Sequence, residues 1–404
     1  MTITRSKDLW AGNPVWLSYP YPFIEAAPLT KNIKTDVAVI GAGVSGATVA
    51  QALAEAGYSV VILDKRPPGC GSTSASTALL QYDLDQPLIK LADEIGHENA
   101  TRAWLRSKRA LDRLTTKTKE LQIDCDFQLQ DTLYLTGNIL DADEMWNEAR
   151  ARNAIGLTTD YLDRVQLRND FGIEKSAALR TENSVSVNPL KFTAGYLEAA
   201  QKRGAQLFSP VEVRGIQIQH NSVVLQTAQG FEITTRYVVA ASGYEILKEI
   251  SLKKKQIVSS WAMATKPQSD KIWPGAAHIW EASDPYLYIR ATDDGRVLCG
   301  GEDEEFSDED KRNALLPEKI KTLERKLKDL LPDLDTHAEF SWCGCFGETE
   351  TSLPMIGPVP GLPNCFAVLA FGGNGITFSH IAAEMLLSYI QGNPEPESDL
   401  FRIQ

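Results

Sequence analysis

The chain has 404 residues, 43% hydrophobic and 23% charged, which is ordinary globular composition with room for two domains or one large one. A formal charge of −12 argues against a nucleic-acid surface, because such binding needs Lys and Arg to neutralise phosphate. No apolar run is long enough to cross a membrane, the N-terminus shows no signal-peptide pattern, and the six cysteines are scattered rather than framed as disulfides, so the expectation is a cytoplasmic protein.

The first informative stretch is "TDVAVIGAGVSGATVAQALAEAGYSVVILDK", Thr35 to Lys65. "VAVIG" is short, apolar and β-branched, as a buried parallel strand requires. Gly41, Gly43 and Gly46 follow as G-x-G-x-x-G: a tight turn, a close backbone approach to a pyrophosphate, and close helix–strand packing. An Ala-rich helix then begins around Val44 and Ser45 and stops at Gly57, and its N-terminus offers N–H groups to phosphate. A second strand ends at Asp64, just before Lys65, where a carboxylate accepts from ribose hydroxyls. A carboxylate about 4 Å from a 2′-phosphate would cost a few kcal/mol, which disfavours NADP. The unit reads as dinucleotide-binding but does not separate NAD from FAD; the bland alternative is a βαβ unit whose glycines serve packing alone.

"GCGSTSASTALLQYD" follows, a small polar segment that reads as a loop lying close to a ligand. Residues 95–121 read as a long amphipathic helix, "QLQDTLYLTG" as a strand, "DADEMWNEARARNAIG" as a helix with an acidic start, and "NPLKFTAGYLEAAQKRGA" as an N-capped helix. "PVEVRGI" is a strand, and "NSVVLQTAQGFEITTRYVVAA" a hairpin running into Ala241, Ser242 and Gly243. From 256 to 301, alternating strands turn at Asp284-Pro285 and Asp294-Gly295. Here Tyr286, Tyr288 and Arg290 share one strand face at spacing two, a guanidinium fork with two hydroxyls suited to a substrate carboxylate, unless the face is simply exposed. An amphipathic helix of mixed charge follows. Trp342 and Phe346 could wall an aromatic pocket or merely fill core. The five histidines show no metal-ligand spacing, and Cys343 and Cys345 form C-x-C rather than the redox C-x-x-C. Near the C-terminus an apolar strand enters "FGGNGIT" and a helix, a second glycine-served N-terminus that could hold a developing negative charge.

Through "VIGAGVSG" with Asp64, "GSTSASTALL", "VVAASGYE", "YLYIRATDDGRVLCGG" and "SLPMIGPVPGLPNCFAVLAFGGNGIT", in that order, the chain resembles the FAD-dependent oxidoreductases of the D-amino-acid oxidase, glycine oxidase and sarcosine oxidase family. The resemblance implies non-covalent FAD, a Rossmann-like α/β FAD-binding domain, and an α+β substrate domain built on an antiparallel sheet. It assigns 1–85, 160–245 and 338–404 to the first domain, and 86–159 and 246–337 to the second. It also implies that Ser72, Thr73, Ser74, Ala75, Ser76, Thr77, Ala78 and Leu79 line the flavin. Val211 and Val213 would contact the adenine region. Gly373, Asn374, Gly375, Ile376 and Thr377 would offer N–H groups to the flavin. Gly344 falls near the position where some relatives attach FAD through a cysteine. The lysine and the arginine that sarcosine oxidases place near the flavin have no match in "GRVLCGG" and "LLQYDLDQPL".

The activity expected is oxidation of a C–N bond of a small-molecule amine or amino acid to an imine, with oxygen or a quinone-like carrier reoxidising the flavin. Two other readings are oxidation of a 2-hydroxy acid or polyol, and a non-catalytic FAD-holding subunit bound to a partner protein.

Overall fold

The computed structural model describes residues 3–4, 7–20, 23–245, 247–248, 255–369 and 371–403, with the backbone alone at 255 and 256. Two sheets organise it. In the eight-stranded sheet, Ile33–Ile40 lies between two parallel neighbours, Val60–Leu63 and Glu232–Ala240. Val60–Leu63 and the C-terminal ends of Ile33–Ile40 and Glu232–Ala240 are apolar and buried on both faces, as a sheet covered by helices demands. Cys365–Leu369 extends the sheet in parallel, and the antiparallel pair Val213–Ile218 and Val223–Thr227 joins the start of Glu232–Ala240. Helices Val44–Glu55, Pro189–Lys202, Gly375–Ile390 and His97–Glu120 pack into one core with this sheet, through Val39, Leu53, Leu111, Phe192, Leu197 and Met385.

The ten-stranded sheet is mostly antiparallel and centres on Lys255–Thr265, Val297–Glu304, Leu287–Ala291 and His278–Glu281. Helix Glu309–Leu330 covers one face, packing Leu323 and Leu327 against Trp261, Ile289 and Cys299. Strand alternation sends Ser260, Ala262, Tyr286 and Tyr288 to the opposite face.

The division of the sequence into two domains differs from the hydrogen bonding. Strands Asp160–Asp163, Ala177–Ser186 and Ala338–Thr349, assigned to the nucleotide side, all pair in the ten-stranded sheet. Helix His97–Glu120, assigned to the substrate side, packs on Gly375–Ile390. A strand's own residues do not name its partner; register does, and Ala338–Thr349 finds its register against Lys255–Thr265.

One segment ties the halves together. Leu79–Leu80 pairs with Val185 and Ser186 in the ten-stranded sheet. The Gln81 carbonyl then accepts from Thr377, and the Asp83 carbonyl from Asn374, both on the nucleotide side. The Asp83 side chain, fully buried, is ion-paired to Arg152. Arg152 also donates from Nε to Glu148 at 2.7 Å and lies 4.3 Å from the Trp104 ring. Glu148 in turn accepts from the N–H groups of Leu88 and Ile89, at 2.8 and 2.9 Å, completing a helix N-terminus that has no capping side chain of its own. Removing Arg152 would leave two buried carboxylates without a countercharge. Arg152→Ala is therefore expected to cost about 3–5 kcal/mol in a urea titration; a loss below about 1 kcal/mol would show that the triad holds nothing.

Candidate active site

A continuous cavity runs between the two sheets, from Asp64 and Val213 at one end to Tyr286 and Trp280 at the other. The first end is a cradle built by glycine. Gly41 has φ +115°, and a Cβ there would strike the Ala241 carbonyl; one on Gly46 would strike the carbonyl of Gly41. Gly46 thus serves the helix contact and does not line the cavity, whereas Gly41, Gly43, Val44 and Ser45 do. Helix Val44–Glu55 starts at Gly43, which has no side chain to cap it; Val44 N is taken by Thr73 Oγ1, which leaves the amides of Ser45 and Gly46 to a ligand anion. Asp64 accepts from Ala42 N at 2.7 Å and Arg66 N at 2.9 Å, while burial raises its pKa. Lys65 and Arg66 both pair with Glu245 at 2.8 Å. Val211 and Val213 line this end, with Val211 N donating to the Asp64 carbonyl, and Ala241, Ser242 and Gly243 close the opposite wall.

The middle is formed by the 72–79 segment. It begins as a 3-10 turn and is held by two indoles: Trp16 Nε1 donates to the Ser76 carbonyl at 2.6 Å and Trp342 Nε1 to the Ala75 carbonyl at 2.9 Å. Thr73 Oγ1 accepts from Val44 N at 3.1 Å, joining this turn to the phosphate end. Ser72, Thr73, Ala75, Ser76, Thr77, Ala78 and Leu79 line the cavity; Ser74 is turned away, its hydroxyl donating to the Gly71 carbonyl. A Cβ on Gly344 would meet nothing closer than 3.5 Å, so this position is open, and Trp342 and Phe346 stand beside it on the wall.

Gly373, Asn374, Gly375 and Ile376 line the cavity, and helix Gly375–Ile390 starts without a side-chain cap. Gly373 N is already committed, donating to Asp85 Oδ2 at 2.8 Å. Thr377 points elsewhere and donates to the Gln81 carbonyl at 3.0 Å. The buried Ser72 Oγ and Gln81 Oε1 have no hydrogen-bond partner among the described residues. Uncapped amides, a glycine cradle, an acid at the strand end and unpartnered polar atoms along the wall together fit an extended dinucleotide such as FAD.

The far end is aromatic and acidic. Tyr286 and Tyr288 line it with ring centroids 5.6 Å apart, Trp280 stacks on Tyr134 at 3.9 Å, and Tyr244 meets Phe371 at 6.1 Å. Arg290 shares the strand face of the two tyrosines but not their cavity. The cavity ends before it, and the Arg290 guanidinium lies 5.1 Å from the Trp16 ring, donates to the Val187 carbonyl and borders a separate, smaller pocket with Lys191 and Asp294. Burial pushes its pKa down to about 9. Spacing of two puts Arg290 on the tyrosines' face, but that face is longer than the cavity on it. Among the described residues the cavity wall holds two cations, Lys65 and Arg66, both at the Asp64 end.

One carboxyl group, Asp85, lines this region, and Asp303 and Glu348 lie behind the wall. Burial pushes Asp85 up to about 6 and Asp303 to about 7; burial, with the charges of Asp85 and Asp303, pushes Glu348 to about 7. Asp85, Gln81, Trp280, Tyr244 and Phe371 are site residues that sequence motifs do not mark; for Asp85 the signal is two acids, Asp83 and Asp85, each flanked by a leucine in "LLQYDLDQPL". His380 is a buried helix residue 3.7 Å from Glu384, away from the cavity wall. No group of three or more His, Cys, Asp or Glu suited to a metal occurs among the described residues.

Comparison with known proteins agrees with this geometry. The chain is 23% identical to the gamma-glutamylputrescine oxidoreductase of Escherichia coli, over 91% of this chain and 86% of that one. It is 24% identical to the glycine oxidase of Geobacillus kaustophilus, over 88% and 93%. Among solved structures, glycine oxidase from Geobacillus kaustophilus matches with a TM-score of 0.72 at 21% identity, covering 92% of this chain and 99% of that one. L-proline dehydrogenase from P. horikoshii matches with a TM-score of 0.77 at 20% identity, covering 92% and 97%. The family model described as "DAO: FAD dependent oxidoreductase" matches residues 36–388, and the chain belongs to that family.

Proposed function

We propose that this FAD-dependent oxidoreductase removes two electrons and two hydrogens from the C–N unit of a small-molecule amine or amino acid, leaving an imine that water hydrolyses. The observation that carries the reading is the continuity of the cavity: a dinucleotide cradle opens directly onto an aromatic, acidic chamber. FAD supplies the two-electron acceptor, and oxygen, reduced to peroxide, or a quinone-like carrier, reduced to a quinol, takes the electrons onward. The protein's part is placement and exclusion of water. Tyr286, Tyr288 and Trp280 present ring faces that exclude solvent around the reacting carbon. The 72–79 turn, fixed by two indole hydrogen bonds, supports a rigid wall opposite them.

Electrostatics favours an amine over an amino acid. A substrate carboxylate needs a cation, and the far end of the cavity offers none among the described residues. The same acids oppose an anionic 2-hydroxy acid. The tethering position of some relatives falls at or beside Gly344, whose neighbour Cys345 also lines the cavity; the reading taken is FAD held without a covalent bond. A cytoplasmic location completes the proposal; no helix among the described residues is long and apolar enough to cross a membrane.

Anaerobic mixing with amines, amino acids and 2-hydroxy acids tests this reading: bleaching of the flavin absorbance is expected with amines. A yellow protein that none of them bleaches, and that co-purifies with a partner, would instead be a non-catalytic subunit. Acid precipitation is expected to leave all the yellow colour in the supernatant; colour in the pellet would reveal a covalent link. Gly46→Val, which drives a side chain into the Gly41 carbonyl, is expected to yield protein with less than about a tenth of the wild-type FAD content. For Asp303, a folded pKa raised to about 7 from the ordinary 3.8 means that folding favours the protonated form. Its stability contribution is complete below about pH 4 and is lost as pH rises through 7. Asp303→Asn is therefore expected to stabilise the FAD-free protein by about 1–3 kcal/mol at pH 8 and by nearly nothing at pH 4, measured by denaturant titration.

A further inference from the structure

We propose that the smaller pocket bordered by Arg290 is a second ligand site, built for a zwitterion with the chemistry of a free α-amino acid: its carboxylate on Arg290 and its ammonium toward Asp293. The proposal stands apart from the oxidation reading, because this pocket shares no lining residue with the long cavity.

The pocket encloses about 150 Å³, room for a small organic ion. Its walls come from Trp16 and Tyr19, from the end of strand Ala177–Ser186 and the start of helix Pro189–Lys202, and from Arg290 with the turn that follows it. Arg290 is the buried member, 2% exposed. Its guanidinium carries a fixed charge and five N–H donors. Among the described residues it makes one hydrogen bond, from Nη2 to the Val187 carbonyl at 2.9 Å, and no carboxylate lies at ion-pair distance. Nε is sealed without an acceptor, while Nη1 is unbonded and open to the pocket. His278, which feels the charge of Arg290, is no substitute, since neither of its ring nitrogens has a partner. The Trp16 ring at 5.1 Å offers only its face. A buried cation with so little around it is costly until an anion meets it, and the fork of a guanidinium suits a carboxylate.

The acids on the pocket decide what else the ligand carries. Asp126 binds Lys191 at 2.6 Å, and Asp294 accepts from Tyr19 at 2.9 Å and from Arg296 Nε at 3.1 Å. Asp293 is exposed at the mouth and accepts only from the Gln128 carboxamide, at 2.7 Å, with no cation beside it among the described residues. Three carboxylates thus line the pocket against two cations, Arg290 and Lys191. A plain carboxylate would meet Arg290 but add to the surplus of negative charge. A doubly charged anion such as phosphate would add more, and a plain amine would leave Arg290 bare. A ligand that carries an ammonium a bond or two from its carboxylate meets both ends and leaves the balance unchanged.

Trp16 is the partition between the two spaces. Its ring faces Arg290, and its Nε1 donates to the carbonyl of Ser76, a residue of the long cavity's wall. A ligand beside Arg290 therefore lies behind the 72–79 turn and is not the molecule being oxidised.

The test is calorimetry at pH 7.5 on the full chain, loaded with FAD and reduced anaerobically with dithionite so that nothing turns over. Glycine, L-alanine and L-serine are compared with acetate, propionate, ethylamine and inorganic phosphate. At least one amino acid is expected to bind about tenfold or more tightly than any of the singly functional ions. That binding is expected to weaken at least about tenfold in Arg290→Gln and at least about threefold in Asp293→Asn. Asp293 is exposed, so the second variant reports even where loss of Arg290 upsets folding. Propionate or phosphate binding as tightly as L-alanine in the wild-type protein, a comparison that needs no variant, would overturn the proposal. So would the absence of any amino-acid binding, or binding unchanged in Asp293→Asn or in folded Arg290→Gln, which would put the ligand elsewhere. Bleaching of the oxidised flavin by amines tests the oxidation reading separately, whichever way this result falls.

Discussion

The ion pair between Asp83 and Arg152 is the constraint on which the arrangement of the site depends. Asp83 is fully buried, on a segment that pairs with one sheet and hydrogen-bonds to the loop of the other. With its side chain fixed by Arg152, the residues on either side have little freedom. Gln81 faces the cavity and Asp85 meets the Gly373 loop. The pair also explains how so acidic a stretch survives burial: Arg152 neutralises Asp83 and Glu148 together, and Glu148 is further stabilised by the N-terminus of helix Leu88–Ile95. Asp85, two residues on, has only a backbone amide and a carboxamide, and its carboxyl is correspondingly pushed up.

The cavity is therefore electrically lopsided. At the Asp64 end the acids have partners: Asp64 accepts two backbone amides, and Glu245 accepts from Lys65, Arg66 and Lys7 N. The uncapped start of helix Val44–Glu55 adds positive potential there, which suits a pyrophosphate. At the other end Asp85 accepts only from Gly373 N and Asn374 Nδ2, with no cation beside it among the described residues.

Legibility in the sequence followed the range of the interactions. The strand, glycines, helix and Asp64 are local, and Gly41, Gly43, Val44, Ser45 and Asp64 line the cavity as the G-x-G-x-x-G spacing implies, while Gly46 does not. The glycine loop before Gly375–Ile390 was legible for the same reason. What stayed hidden depended on pairing between distant strands. Nothing within "EFSWCGCFGET" says that it pairs with Lys255–Thr265 rather than with the nucleotide sheet. Arg290 shows the same limit on a smaller scale. Period two placed it with Tyr286 and Tyr288, but where the cavity stops depends on Trp16 and on Val187 and Lys191, which come from two other parts of the chain.

Asp303 was hidden for a further reason. In "CGGEDEEF" four acids run together, and such a run ordinarily reads as a solvated turn. In an unbroken strand, alternation would decide which of them faces the cavity, and the bulge where Val297–Glu304 slips against Ser259 and Trp261 resets that alternation. Glu302 and Asp303 are chemically near-identical neighbours, yet one pairs with Lys319 and Lys326 and the other turns toward the hydroxyls of Ser260 and Tyr286. Removing the bulge would exchange their faces and give Asp303 to the lysines, so a single register slip decides which acid lies behind the two hydroxyls.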